Sequence, residues 1–293
     1  MNKNDFIAEA LRSPSCPSDF ITQYEYFCRY QRMVLEILKE FHRVCEKNGI
    51  NYFVSYGSLL GLIRDGGQIP WDYDIDTFVP VSQKEELLKA IRQDMSEDFY
   101  AVCPELDPAC RHYIIRVCPK QYNSAAVHLD VFWYCGAPED EKSRKRFTKN
   151  LRRCAQIRFA KKVNIKEESV GNKKRALKLM AAKTAFSVFN LKRTDKKYRH
   201  LIRRYPISSS KYVVSADFFA GDCFIPAKMF TETMIYSTNV GEFRIPKDYD
   251  GFLKMIYGNY LEYPPMKNRI REVLNACRRF KHFENLNQKC LSE

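Results

Sequence analysis

Three aspartates stand at alternate positions in the run IPWDYDID: Asp72, Asp74 and Asp76. On an extended chain successive side chains point to opposite faces, so residues two apart share a face about 6–7 Å from each other. Carboxylates that close repel unless something positive sits between them, and a divalent metal is the usual occupant. The apolar residues that follow, Ile75, Phe78, Val79 and Val81, read as a strand, so the carboxylates are expected to project from its start. A surface strand with its polar side in water would show the same alternation. Trp71, Ile75 and a Gly57-Ser58 turn upstream are more than a solvated face needs. A further carboxylate, Asp130, lies between Leu129 and Val131 in the apolar run HLDVFWY. Buried and unpaired it would cost several kcal/mol, so it calls for a partner, either a structural salt bridge or a metal shared with Asp74 and Asp76.

A second group of residues suits phosphate. Tyr52, Phe53, Val54 and Tyr56 read as a strand that breaks at Gly57-Ser58, and Ser58 to Arg64 reads as a short helix. A glycine there lets backbone approach a ligand, Ser58 offers a hydroxyl, and the start of a helix presents free N–H groups to an anion.

These groups need elements to hold them. Residues Ser18 to Lys47 have the spacing of one long amphipathic helix, with Phe27, Tyr30, Val34, Ile37, Leu38, Phe41 and Cys45 recurring at three and four residue steps. Ser18 or Asp19 can cap it, and Asn48-Gly49 supplies a left-handed stop. Ser82 with Glu85 forms a capping box that opens a helix to about Met95. Strands are expected near Phe99–Cys103, Tyr113–Cys118, Ala126–Tyr134 and Lys211–Ile225. Phe243 to Tyr249 leads into a helix ending at Tyr257, a Pro264-Pro265 turn follows, and the tail from Asn268 reads as a basic helix.

At 45% hydrophobic and 14% aromatic over 293 residues the chain is globular and large enough for a sizeable core. Its eleven cysteines are odd in number and never form a CxxC pair, and the N-terminus lacks an apolar leader. Both features point to free thiols in a reducing, cytoplasmic compartment. Zinc ligation by Cys103, Cys110, Cys118, His112 or His128 would need spacings that fit no standard pattern. The net charge of +14 is uneven: Glu141 to Tyr205 holds 23 Lys and Arg against four Asp and Glu, which leaves the remainder mildly acidic. Within that segment NKKRALKLMAAKTAFSVFNLKR suits an anionic membrane surface. It equally suits an ordinary helix packed on the core. Few aromatics are placed for stacking on bases, so nucleic acid is not expected.

Strand, Gly-Ser turn, short helix, Asp-x-Asp and a later lone Asp together match the pattern of the nucleotidyltransferase superfamily. More closely, GSLLGLIRDGGQIPWDYDID, HLDVFWYCGAP, IPKDYDGFL and YGNYLEYPP resemble the LicD family of phosphotransferases, relatives of the fukutin proteins, over roughly Leu35 to Pro265. The resemblance implies an α+β fold, a nucleotidyltransferase-like mixed sheet flanked by helices with a basic helical insertion. The chain is expected to divide into a catalytic core with its N-terminal helix at 1–140, a basic helical segment at 141–205 that either faces a membrane or packs on the core, and a C-terminal part of the same LicD-type domain at 206–293. It implies transfer of phosphocholine from CDP-choline to a hydroxyl of a cell-surface glycan, such as a lipopolysaccharide, teichoic acid or capsule precursor. The alternatives are another CDP-linked group (ribitol or glycerol phosphate) and true nucleotidyl transfer. Carried over by position, Gly57, Ser58 and Arg64 bind the donor phosphates. Asp74, Asp76 and Asp130, with Asp72 beside them, are the catalytic and metal residues for two Mg2+ ions, and Asp130 also helps deprotonate the acceptor. The expected setting is the inner membrane face, with a lipid-linked acceptor. Two positions depart from the family pattern: Tyr73, where an acidic residue is frequent, and STNVGEFR, where a Phe-Glu-Gly run is frequent.

Overall fold

A nine-residue strand at Leu129–Ala137 organises the sheet of this computed structural model, because it pairs over Leu129–Tyr134 on one side and shares its other side between two partners. The structure describes residues 1–122, 127–169, 172–217 and 224–292, with side chains as far as Glu284. In chain order the strands are β1 (Phe53–Ser55), β2 (Ile75–Pro80), β3 (Phe99–Val102), β4 (Ile115–Pro119), β5 (Leu129–Ala137), β6 (Tyr212–Ser215), β7 (Ile225–Pro226), β8 (Thr233–Thr238) and β9 (Gly241–Pro246). The helices are α1 (Lys3–Leu11), α2 (Phe20–Lys47), α3 (Tyr56–Leu60), α4 (Lys84–Asp94), α5 (Glu141–Lys162), α6 (Ile165–Glu168), α7 (Lys173–Ala185), α8 (Leu191–Ile202), α9 (Lys228–Thr231), α10 (Tyr249–Tyr257) and α11 (Met266–Ser292).

β2 and β5 are parallel, and β1 lies antiparallel outside β2. On the far side of β5, β4 pairs with its beginning and β6 with its end, both antiparallel. β3 and β7 extend these two branches, and β8 with β9 forms a separate hairpin. The mixed sheet flanked by helices is the expected α+β architecture. Of the strand expected at Ala126–Tyr134, Ala126 lies outside the described residues, as do residues 218–223 of the one expected at Lys211–Ile225.

Helix α2 follows its sequence periodicity. Phe27, Tyr30, Val34, Ile37, Leu38, Phe41 and Cys45 are all buried, and the helix stops at Gly49, whose φ of +63° a side chain would strain. It lies along the sheet against β2, β4 and β5. On one sheet face Phe53, Phe78 and Phe132 form a cross-strand row, with ring centroids 5.6 Å apart between each neighbouring pair. Tyr56, Tyr134 and Phe230 close around it. Such rings bury large apolar areas and add favourable edge and offset contacts.

The basic segment divides into helices with different duties. α5 buries Phe147, Leu151, Cys154 and Ile157, and α8 buries Tyr198, Leu201 and Ile202. Arg158 of α5 pairs with Asp195 of α8 at 3.0 Å, and Tyr113 donates to the same carboxylate at 2.6 Å, so both helices are bound to the core. α7 has no buried residue. Among the described residues no helix is long and apolar enough to cross a membrane.

The three carboxylates do not project from one strand as expected. Only Asp76 lies within a strand; Asp72 and Asp74 belong to the segment before β2, which therefore does not present three carboxylates from one ladder. The STNVGEFR stretch is a β8–β9 hairpin whose tip covers the loop after α3. There Val240 stands so close that a Cβ on Gly67 would meet it at 3.2 Å.

The chain turns from β1 into α3 through Tyr56 at φ +47°, and the helix widens into a π turn over Gly61–Asp65. At Gly61 a Cβ would lie 2.5 Å from the Gly67 carbonyl and 2.9 Å from the Ile69 nitrogen, both backbone atoms. Gly61→Ala should therefore cost about 2–3 kcal/mol, the scale of an overpacked core. At Gly49, where the same change meets nothing within 4 Å, Gly49→Ala should cost about 1 kcal/mol from the positive φ alone. Urea denaturation of the two variants checks the order.

Candidate active site

The register of three strand pairs builds the site. Ser55 on β1 opposes Asp76 on β2, Asp76 neighbours Asp130 on β5, and Asp130 opposes Arg116 on β4. Directly paired residues share a face, and adjacent strands lie about 4.8 Å apart, so these four side chains form one row across the sheet. The row lies one step along the strands from Phe53, Phe78 and Phe132 on the same face. The carboxylates therefore rest against an apolar floor.

Asp72 and Asp74 reach the row through a segment pinned from three directions. Gln31 of α2 donates Nε2 to the carbonyls of Ile69 at 2.9 Å and Asp72 at 2.6 Å, and the Tyr24 hydroxyl donates to the Pro70 carbonyl at 2.9 Å. Ser58 Oγ accepts from the Asp76 N–H at 2.8 Å and contacts the Asp74 carbonyl at 3.4 Å. A Cβ on Gly57 would lie 3.0 Å from the Asp72 carboxylate. Gly57 and Ser58 thus hold the acidic segment in place, a use the sequence reading did not assign to them.

Charge in the row is crowded on one side and compensated on the other. Burial, then Asp130, Asp74, Asp72 and Asp217, push the Asp76 carboxyl well above the ordinary range. Burial and Asp72 push Asp74 up to about 7, while Arg279 and Arg116 pull it back and Asp130 adds to the rise. Asp74 sits exposed at the mouth of the cleft, so solvent screens part of this effect although protein surrounds its other sides. Asp130 accepts from Arg116 Nε at 3.0 Å, and His128 Nε2 lies 3.7 Å from the same oxygen. Burial and neighbouring arginines hold His128 well below its usual range, so it is neutral there. The salt-bridge partner anticipated for Asp130 is present.

Arg64 is placed differently. It donates Nε and Nη2 to Asp65 at 3.1 and 2.8 Å and Nη1 to the Tyr260 carbonyl at 3.3 Å, and its guanidinium lies 4.5 Å from the Tyr263 ring. The cation nearer the acidic segment is Arg279 of α11, which donates to the Tyr73 hydroxyl at 2.8 Å. Arg116, Arg279 and Asp217 went unread in the sequence. Arg116 could have been found as the lone charge of an apolar strand; nothing local marked the other two.

Two adjoining cavities lie beside the acidic segment before β2. One of about 460 Å³ is bounded by Trp71, Asp72, Tyr73 and Asp74 on one side and Glu272, Asn275 and Arg279 on the other. The other, about 570 Å³, shares Asn275 and Arg279 and continues to Glu167, Glu168 and Arg175 of the basic segment. Together they form a polar groove between α11 and the start of α7.

The donors in the row suit a hard cation. They are carboxylates whose mutual repulsion a cation relieves, and beside Asp76 the buried Ser55 hydroxyl has no hydrogen-bond partner among the described residues. Among the described residues no three His, Cys, Asp and Glu side chains are gathered closely enough to cage a metal by themselves. Mg2+ fits that incomplete set, since it is usually held by one or two carboxylates together with substrate phosphates. Asp74 and Asp76 are the residues placed to do so, with Asp130 tied to Arg116.

Residues 49–170 match the family model described as LicD/FKTN/FKRP, nucleotidyltransferase domain. The chain is also 25% identical over 256 residues to the lipopolysaccharide cholinephosphotransferase LicD of Haemophilus influenzae, covering 82% of this chain and 94% of that relative. Gly57, Ser58, Arg64, Asp72, Asp74, Asp76, Arg116 and Asp130 all fall inside the family match, whereas Arg279 and Asp217 fall outside it.

A carboxyl whose folded pKa is raised favours the folded state at low pH and loses that contribution as pH rises through the folded value. For Asp74 that window runs from about 4 to about 7. The metal-free protein should accordingly lose stability from this site between about pH 4 and pH 7, by an order of about 1 kcal/mol after screening. Asp74→Asn should flatten that slope and raise the thermal midpoint at the alkaline end, as read by calorimetry in chelator.

Proposed function

From a chain that carries a LicD-type nucleotidyltransferase domain over residues 49–170, we propose a Mg2+-dependent phosphotransferase that moves phosphocholine from CDP-choline to a hydroxyl of a lipid-linked cell-surface glycan at the inner membrane face. The observation that carries this reading is the pairing of Asp76 with Asp130 in adjacent strands, with Asp74 at the mouth of the same cleft. The kinship with a lipopolysaccharide cholinephosphotransferase supports the choice of group transferred.

In this reading the acceptor oxygen attacks the choline-bearing phosphorus, the bond from that phosphorus to the bridging oxygen breaks, and CMP leaves with the bridging oxygen. Bound metal, as two ions on Asp74, Asp76 and Asp130, would supply charge neutralisation on the phosphates and an activated hydroxyl. The remaining work falls to the chain. Gly57 and Ser58 hold the acidic segment against the donor, with Arg64 behind them. Arg279 offsets negative charge that develops on the phosphoryl oxygens. Asp130, oriented by Arg116 and His128, takes the acceptor proton. The aromatic floor keeps bulk water from the phosphorus and strengthens every charge interaction above it. We place the acceptor in the groove along α11. Its mixed Glu, Asn and Arg lining can both accept from and donate to sugar hydroxyls, and its carboxylates disfavour a second phosphate.

CMP release from CDP-choline in Mg2+ should fall about a thousandfold in the Asp74→Asn, Asp76→Asn double variant, the scale on which electrostatic groups of a reaction centre act. Retained turnover would reject the assignment. A panel with CDP-ribitol and CDP-glycerol fixes the group transferred, and pyrophosphate released from a nucleoside triphosphate would instead assign a nucleotidyltransferase.

A further inference from the structure

Helix α7 carries apolar residues on two opposite faces, and among the described residues only one of the two faces is packed. Ala176, Leu179 and Ala182 face inward, half-buried, as α7 packs on α5. On the opposite side Leu177, Met180, Ala181 and Thr184 fall at helical spacing on one stripe, and Val188 follows in the turn after the helix. Leu177, Met180 and Val188 are 69%, 54% and 82% exposed, among the most exposed large apolar side chains described.

The charge around the stripe says what covers it. Lys173, Lys174, Lys178 and Lys183 of α7 and Lys192 and Arg193 beyond it are exposed, and α7 contains no acidic residue. An apolar stripe framed by lysines is complementary to the interface of an anionic bilayer, where the stems of the lysines stay in the apolar zone and their ammonium groups reach the headgroups. α7 is anchored at its end, where Lys161 donates to the Ser187 carbonyl at 2.9 Å and the Arg153 guanidinium lies 5.3 Å from the Phe189 ring. It therefore presents this face as a fixed platform.

We propose that the outer face of α7 docks the protein on an anionic phospholipid surface, with Leu177, Met180 and Val188 entering the interface. This does not depend on the reading of the acidic site. The test is flotation of the full chain with phosphatidylcholine vesicles, with and without phosphatidylglycerol. Binding is expected only with the anionic lipid. Leu177→Asp with Met180→Asp should weaken it about tenfold or more, and each Lys→Gln at 173, 174 or 178 by about fivefold. Circular dichroism of the Asp variant confirms that these exposed positions leave the fold intact. In a separate variant, Val188→Trp should show a blue-shifted fluorescence on anionic vesicles against the background of buried Trp71 and Trp133. Absence of binding overturns the proposal, as does binding that ignores the Asp substitutions and tracks charge alone. A dimer in solution that the Asp substitutions dissociate would also overturn it and assign the face to a second copy of the chain.

Discussion

Parallel pairing of β2 with β5 sets Asp76 beside Asp130, and much of the surrounding structure accommodates that one juxtaposition. Two carboxylates at strand spacing, with Asp74 near them and an aromatic floor beneath, repel in a medium that screens poorly. The chain meets this in three ways. Arg116 is brought opposite Asp130 by the next strand, Arg279 approaches from α11, and Asp74 is left at the mouth of the cleft where water reaches it. The residual crowding appears as the raised carboxyls of Asp74 and Asp76. A site of this kind is costly as a scaffold and useful as a receptor for positive charge.

The same constraint explains the packing of the N-terminal third. Asp72 and Asp74 lie outside the sheet, so the ladder cannot hold them. Backbone carbonyls of their segment are taken up by Gln31 and Tyr24 of α2, and the Asp76 amide by Ser58. The close approach at Gly61 and the tip of the β8–β9 hairpin press the loop between from the other side. Rigidity of the acidic segment thus comes from elements outside it, as the proposed positioning of phosphates would require.

Much of this was legible in the residues. The spacing of apolar positions marked α2 and its glycine stop, and the acidic run with Asp130 marked the two carboxylates of the row. Their adjacency was not readable, because it depends on the register between two strands separated by more than fifty residues. The surroundings of Arg64 were not readable for a related reason. Its partner Asp65 is next to it in sequence, but the rings of Trp71 and Tyr263 that enclose it come together only in the fold. Arg279 was hidden in a basic tail whose pattern was indistinguishable from a solvated helix. In the basic segment, composition alone could not separate α5 and α8, which bury a core face, from α7, which does not.

We propose that the acidic row takes up a divalent cation together with donor phosphates. Thermal unfolding with Mg2+ and CDP-choline, each alone and both together, tests it most directly, because a ligand that binds only the folded state raises the midpoint. The account predicts a rise with both present that exceeds the sum of the separate rises, and its loss in Asp76→Asn. An equal rise from CDP-choline without metal, or a joint effect that survives Asp76→Asn, would contradict it.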